Sequence, residues 1–424
     1  MVLLLVRTVS VVVPVLNEAD NVAPLIGEIR AALGVCAFEI VYVDDGSTDA
    51  TLANLQATRA TAPELRILQH GEKRGQSEAL RSGILAARGR LIVTLDGDRQ
   101  NDPADIPKLI EAYDDAGFYA YQIAEHHATP LTVAPSPSVF LSAVAQRTKR
   151  LKFGPMVYVL PMYHPLRLVE EICMLDQFSG GRFLYGVGKG ITPYELGYFG
   201  VDAADARAIY EEILDITLMA MDPATERLNW HGKHFDFDDV PINIHPIQKP
   251  HPPLWIGVGT PEGAANAGAR GINALTNSPL VRSTELMQRY RDAYTGDEAT
   301  MPKIAICRHT VIAETDEEAE RIMREAYPAW YEHFVALWKQ HGDSPVVAAY
   351  TEDFDETVAK DLLIFGSPAT VRAEIERYLE TSATNYFVCR FAFGSLTYEQ
   401  SRMALDGFVE EVMPHFIPNK QAAE

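Results

Sequence analysis

Residues 97–130 read "GDRQNDPADIPKLIEAYDDAGFYAYQIAEHHATP". The left end closes a buried β-type run, "RLIVTL", and sets Asp96 and Asp98 on either side of Gly97. Two carboxylates one residue apart at a strand end can hold a divalent cation, because hard cations take oxygen ligands. The middle, "ADIPKLIEAYDDAG", has helical apolar spacing and stops at Gly117. The right end is a second short strand, "FYAYQIA", followed by Glu125, His126 and His127. One strand–helix–strand segment therefore ends an acidic site and begins a histidine site. Which sheet owns its first strand decides the fold.

Upstream, residues 8–116 alternate strand and helix. "TVSVVVPVL", "FEIVYVDDGSTD", "LRILQH" and "RLIVTLDGD" are strands, the first a β-branched run suited to burial on both faces. "NVAPLIGEIRAAL", "ATLANLQATRA" and "QSEALRSGILAARG" are helices. The pattern predicts a doubly wound parallel sheet with ligands at the carboxyl ends of its strands. The apolar start "MVLLLVRTVSVVVPVLNE" reads as strand rather than signal peptide: Arg7 interrupts it, and it has neither a basic n-region nor a small-residue cleavage site.

Downstream the alternation continues with different motifs. "FYAYQIA", "RLKFGPMVYVL", "RFLYGVG", "PLWIGVG", "INAL", "KIAICRHTVIA" and "NYFVCRFA" are strands with helices between them. This predicts a (β/α)8 barrel, a fold of about 250 residues, lacking its own first strand. The fold class is thus α/β: a barrel preceded by a truncated doubly wound domain. The domains are 1–116 and 117–416, with 417–424 a disordered tail. No linker separates them, so one strand is claimed twice. Either residues 90–95 join the barrel as its first strand, which the adjacent helix favours, or the barrel closes imperfectly.

The chain has 424 residues and a formal net charge of −21, from 58 acidic and 37 basic residues. That balance argues against nucleic-acid binding, where phosphate contacts need Lys and Arg. Cys36, Cys173, Cys307 and Cys389 are scattered without a C-x-x-C pair, which fits a reducing, cytoplasmic setting. No run approaches the roughly 18 apolar residues of an integral membrane segment.

Acidic and polar residues gather at the predicted strand ends of the first half: Asn17 and Glu18 after Pro14, then Asp44 and Asp45, then Asp96 and Asp98. In the second half, neighbouring side chains on a strand face opposite ways. One of His126 and His127 therefore faces a site at the barrel's carboxyl end and the other packs or orients; a neutral imidazole there can act as a base. Gly-rich exits follow at Gly188–Lys189 and at Gly257, Gly259 and Thr260. The last precedes a helix opened by Pro261, whose free N–H groups suit a phosphate.

Two resemblances follow. "VVVPVLNEADN", "VDDGSTDAT", "GQSEALRSGILAARG" and "TLDGDRQNDPADIP" resemble family-two glycosyltransferases of the polyprenol-phosphate mannosyl- and glucosyltransferase branch, with a GT-A-like nucleotide-sugar fold. The resemblance implies nucleotide-sugar contacts from Pro14, Asn17, Glu18, Asp45 and Asp96, and Mg²⁺ or Mn²⁺ on Asp96 and Asp98. The half that carries such enzymes' acceptor site and base has no counterpart here, so sugar transfer is not expected. "EHH", "PSPSVFLSAVAQRTKRLKFG", "LPMYHPLRLVEEICMLDQFSGGRFLYGVGKG" and the ending "IFGSPATVRAEIE" to "EEVMPHF" resemble luciferase-like flavin-dependent monooxygenases over residues 117–416. That resemblance implies His126 as catalytic base and a flavin supported by Met156 and Val157, where relatives often have a cis peptide. It also implies Gly188 and Lys189 beside the flavin, and Gly259 and Thr260 around the FMN phosphate. It implies reduced FMN and O₂ acting on a small organic substrate, with deazaflavin as the alternative cofactor. A separate flavin reductase, a homodimer and a closing loop over residues 337–360 are implied with it. The competing readings are a nucleotide-sugar-dependent glycosyltransferase and a non-catalytic fusion product.

Overall fold

The computed structural model describes residues 9–33, 38–88, 91–94, 105–132, 134–345 and 349–416. The expected tail, 417–424, lies outside them. The chain divides into two compact units, Met1–Lys108 and Leu109–Glu424, so the division falls within the helix Asp105–Ala116.

The first unit is a four-stranded parallel sheet of β1 (Val9–Val15), β2 (Phe38–Asp44), β3 (Leu65–Gln69) and β4 (Leu91–Thr94), in the order β3-β2-β1-β4. The β-branched run of β1 is buried from Ser10 to Val15, as its lack of alternation predicts. Val12, Val41 and Val43 pack with Ala79 on one face, while Val11, Val13, Ile40 and Tyr42 pack with the helix Val22–Leu33 on the other. Gly83 makes the first contact close: a Cβ there would stand 2.3 Å from a Val12 methyl.

The same face carries one buried charge. Glu39 accepts from the Ser10 hydroxyl (2.7 Å), the Arg66 guanidinium (2.9 Å) and the Arg88 backbone N–H (2.5 Å). Burial pushes its carboxyl up, but these bonds outweigh that and hold it at about 2. Arg66 also donates to the Ala86 carbonyl at 2.7 Å, so the cluster ties down the end of the helix Gln76–Ala86.

β4 settles the contested strand. Val9, Ser10, Val11 and Val12 pair with Leu91, Ile92, Val93 and Thr94, so residues 91–94 complete the first sheet rather than opening the barrel. The physical reason is local: β1 offers a full parallel partner on its free edge, flanked by the helix that directly precedes β4.

The second unit begins on the helix Asp105–Ala116. Asp114 accepts from the backbone N–H groups of Lys149, Arg150 and Leu151 (2.8, 2.9 and 2.6 Å), which sets the start of β6 beside this helix. The strands are β5 (Ala120–Ile123), β6 (Lys152–Pro155), β7 (Tyr158–Val159), β8 (Tyr185–Gly188), β9 (Arg227–His231), β10 (Asp236–Pro241), β11 (Leu254–Gly257), β12 (Asn273–Thr276), β13 (Ile304–Ile312), β14 (Leu363–Gly366) and β15 (Tyr386–Arg390). β5 pairs with β6, and a bridge from Phe153 to Phe183 leads on towards β8. Parallel pairing continues through β11, β12 and β13, and β15 lies against β13. Among the described residues, no strand pairs with the remaining edges of β5 and β15, so this seam has no backbone ladder, although the Tyr119 and Tyr386 rings meet across it (5.7 Å between ring centres). The hairpin β9–β10 and the short β14, which pairs in parallel beside His309–Ile312 of β13, were not expected from sequence.

The segment expected to be a closing loop is partly helical. Leu337 and Trp338 are buried and continue the helix Asp316–His341, and Asp353 caps the helix Phe354–Ala359 by accepting from Glu356 N–H.

Candidate active site

Alternation along the barrel strands builds the site in layers. Leu184, Trp255, Leu275, Ala305 and Cys307 form one buried cluster with Ala120, Met156, Tyr386 and Val388. Two residues further along the same strand faces stand Gln122, Asn277, His309 and Arg390, at the carboxyl ends where barrel enzymes place their chemistry. The change from apolar to polar is abrupt. Gln122 Nε2, Asn277 Oδ1, both ring nitrogens of His309 and the Tyr350 hydroxyl are buried without a hydrogen-bond partner. Each such atom costs about 1–3 kcal/mol, so their convergence marks a place built to receive polar groups. His309 is fully buried; burial, then Arg390 and Arg308, push its imidazole far below the usual range, and it is neutral.

His126 and His127 follow β5 and are both held. Glu195, buried on the helix Pro193–Tyr198, accepts from the His127 backbone N–H at 2.6 Å and stands 3.3 Å from His126 Nδ1. A carboxylate there favours the proton on Nδ1 and leaves the Nε2 lone pair as the base. His127 Nε2 meets Glu125 Oε1 at 3.0 Å. Glu125, itself buried, also accepts from Tyr163 OH and from Val159 N–H (2.6 Å). Each ring is thus held through one nitrogen, His126 through Nδ1 and His127 through Nε2.

The glycine exits differ in purpose. A Cβ on Gly186 would stand 2.0 Å from the Pro155 carbonyl oxygen, and one on Gly188 would stand 2.5 Å from a Val157 methyl. These glycines let β6 and β8 approach where the Met156–Val157 peptide is cis. Gly257 and Gly259, by contrast, face open space, with no atom within 4 Å of where a Cβ would stand. Thr260 caps the helix Pro261–Ala269 by accepting from Gly263 N–H (3.1 Å), and Arg282 reaches the Gly259 carbonyl at 3.5 Å. Lys189 is exposed beyond β8. An open glycine pair before a helix N-terminus, beside orphaned polar atoms, fits a flavin phosphate and ring.

In the first unit, Pro14 pairs with Val43 and places Asn17 and Glu18 just past β1. Asn17, at φ 59°, accepts from Thr48 N–H (2.8 Å), and Glu18 N–H donates to the Thr51 hydroxyl (2.8 Å), which draws the loops after β1 and β2 together. Asp45 is occupied internally. It meets His70 Nδ1 (2.6 Å) and accepts from Arg74 and Gly75 N–H (3.0 and 2.7 Å); burial raises its carboxyl, but these bonds prevail and lower it. Asp96 and Asp98 lie outside the described residues. Among those described, no group of three or more His, Cys, Asp or Glu side chains is placed to hold a metal.

Residues 84–385 match the Luciferase-like monooxygenase family. The chain belongs to that family. This luciferase-like chain is 38% identical over 305 residues to the uncharacterized protein y4wF of Sinorhizobium fredii, covering 70% of this chain and 87% of the relative. It is 26% identical over 337 residues to the oxygenase component of the flavin-dependent trigonelline monooxygenase of Acinetobacter baylyi, covering 74% and 89%. Its fold is shared with the monooxygenase RslO1 from Streptomyces bottropensis (TM-score 0.66, 24% identity, 74% and 93% covered). It is shared also with the oxygenating constituent of 3,6-diketocamphane monooxygenase of Pseudomonas putida, solved with FMN (TM-score 0.60, 22% identity, 75% and 96% covered). Residues 10–155 match Glycosyl transferase family 2. There the luciferase-like chain is 47% identical over 106 residues to dodecaprenyl-phosphate galacturonate synthase of Rhizobium johnstonii, spanning 24% of this chain and only 31% of that relative. Among the described residues, no helix is long and apolar enough to cross a membrane.

Glu195, Tyr163, Gln122, Asn277, His309, Tyr350 and Arg390 were not among the residues expected from sequence. The two-residue repeat in "AICRHTV" and "YFVCRF" carries a signal for His309 and Arg390; Glu195 has none, because it acts from a different element.

Proposed function

We propose that the barrel unit is a monooxygenase that uses reduced FMN and O₂ on a small organic substrate. The observation that carries this reading is the His126–Glu195 pair at the same strand ends as the layer of unpaired buried polar atoms. Bound reduced flavin would supply the oxygen-activating chemistry. The chain's part would be to hold and orient it, with Gly259 and Thr260 for the phosphate and Met156, Val157, Gly188 and Lys189 for the ring. His126 Nε2 takes or returns a proton, and Glu195 keeps Nδ1 protonated throughout. The aromatic wall of Trp330, Phe334 and Tyr350 excludes water from the reacting end.

The naming of one relative as an oxygenase component supports a separate flavin reductase as partner. The test is flavin binding and substrate-dependent O₂ uptake with a reductase supplied. His126→Ala is expected to keep FMN affinity and to lower turnover about 100-fold; unchanged turnover removes His126 as the base. A cofactor spectrum of deazaflavin type would replace FMN in this reading.

For the first unit, the loops after β1 and β2 support a nucleotide-sugar site without sugar transfer. Calorimetry with UDP- and GDP-sugars and Mn²⁺ checks it. Binding abolished by Asp98→Ala is expected, and transfer to a lipid phosphate would contradict it.

A further inference from the structure

The polar layer of the barrel is unevenly charged. His309 and Arg390 are direct partners in the β13–β15 register, and both continue the inward faces of their strands after Cys307 and Val388. Trp330, Tyr350 and Phe393 surround the His309 ring, at 4.3, 5.7 and 4.7 Å between ring centres, and Phe334 stacks on Trp330 at 5.2 Å. Arg390 has no carboxylate partner among the described residues. The Tyr350 hydroxyl approaches its guanidinium without closing a hydrogen bond of ordinary geometry. Arg308, on the opposite face of β13, adds a second cation; its Nη atoms are spent on the carbonyls of Cys307 (2.7 Å) and Ser278 (2.9 Å). Nothing acidic offsets either guanidinium among the described residues, although the chain as a whole is strongly acidic.

Charges drawn out of water are normally paired, because stripping a lone charge of its hydration is expensive. A guanidinium offers a planar fork that matches a carboxylate. The neutral His309 and the Tyr350 hydroxyl add donors beside it without adding charge. The surrounding rings suit an apolar or aromatic body and not a hydrated inorganic ion.

We propose that Arg390, His309 and Tyr350 form a subsite for the carboxylate of an apolar organic acid, with Trp330, Phe334 and Phe393 receiving its body. Calling this acid the substrate rests on the monooxygenase reading above; the anion site itself does not.

The test uses the full-length protein and two probes of one shape, benzoate and the neutral benzamide, titrated by calorimetry with and without FMN. Benzoate is expected to bind at least about ten-fold tighter than benzamide. Arg390→Met is expected to bring the two within about two-fold while FMN affinity stays within about two-fold of the parent. Arg390→Lys, which keeps the charge and loses the fork, gives an intermediate ratio and covers the case in which the methionine variant does not fold. Equal binding of the two probes by the parent protein overturns the proposal, as does a benzoate preference that survives Arg390→Met. Loss of FMN affinity in Arg390→Met with no benzoate preference in the parent also overturns it and assigns the cation to the flavin. A benzoate preference in a protein that takes no flavin supports the subsite while the monooxygenase reading fails.

Discussion

Glu195 Oε1 lies 3.3 Å from His126 Nδ1 and accepts the His127 backbone N–H at 2.6 Å, so one buried carboxylate fixes both the ring and the loop that carries it. The two duties separate by substitution. Glu195→Gln keeps an oxygen for His127 N–H and removes the charge facing Nδ1. It is expected to lower kcat about ten-fold with FMN affinity unchanged. Glu195→Ala removes both and is expected to lower kcat further and to reduce thermal stability. Steady-state kinetics with flavin titrations checks the split; equal behaviour of the two variants contradicts it.

The orphaned nitrogens of His309 predict an uncommon stability effect. His309→Leu removes two unpaired polar atoms from an aromatic surround. Stability is expected to be unchanged or to rise by about 1 kcal/mol, while benzoate affinity falls. A urea-unfolding comparison that shows clear destabilisation would mean those nitrogens are satisfied in solution.

Acid sensitivity of the first unit is expected from Glu39. Its folded carboxyl sits at about 2, below an unfolded value near 4.5. A depressed carboxyl contributes stability that is present above the unfolded value and lost as pH falls through the folded one. The loss therefore runs from about pH 5 down to about pH 2, on the order of 3 kcal/mol. Glu39→Gln is expected to be less stable at neutral pH and to flatten this dependence, as read from urea midpoints. An unchanged slope contradicts the role of the Ser10–Glu39–Arg66 cluster.

Glycines predict opposite outcomes at neighbouring strand ends. Gly186→Ala drives a methyl onto the Pro155 carbonyl and is expected to destabilise by more than about 2 kcal/mol. Gly259→Ala meets open space, so stability should change by less than about 0.5 kcal/mol. FMN affinity should fall about ten-fold, because the added methyl stands where the phosphate would approach. Thermal unfolding and flavin titration of both variants decide this; a Gly259→Ala protein with parental FMN affinity moves the phosphate elsewhere.

Both architectures were legible because their strands are strongly patterned. The long buried runs of β1 and β13 were visible as strands, and glycine exits marked the strand ends. The ownership of residues 91–94 was not legible, because a short apolar strand carries no label for its partner; pairing with Val9–Val12 decided it. His126 stood out by its place after β5, but its partner Glu195 sits 69 positions along the chain on a six-residue helix. Such pairings are set by tertiary geometry. The strand repeat marks the faces of His309 and Arg390, but only the β13–β15 register makes them neighbours.

Whether the barrel holds a flavin despite its open edge between β15 and β5 is tested most directly by titrating the purified full-length protein with FMN. Flavin fluorescence and absorbance follow the binding, with a deazaflavin titrated in parallel. Saturable FMN binding in the low micromolar range is expected, weakened by Gly259→Ala and untouched by His126→Ala. No saturable binding of FMN, or tight binding of the deazaflavin alone, would contradict the flavin assignment.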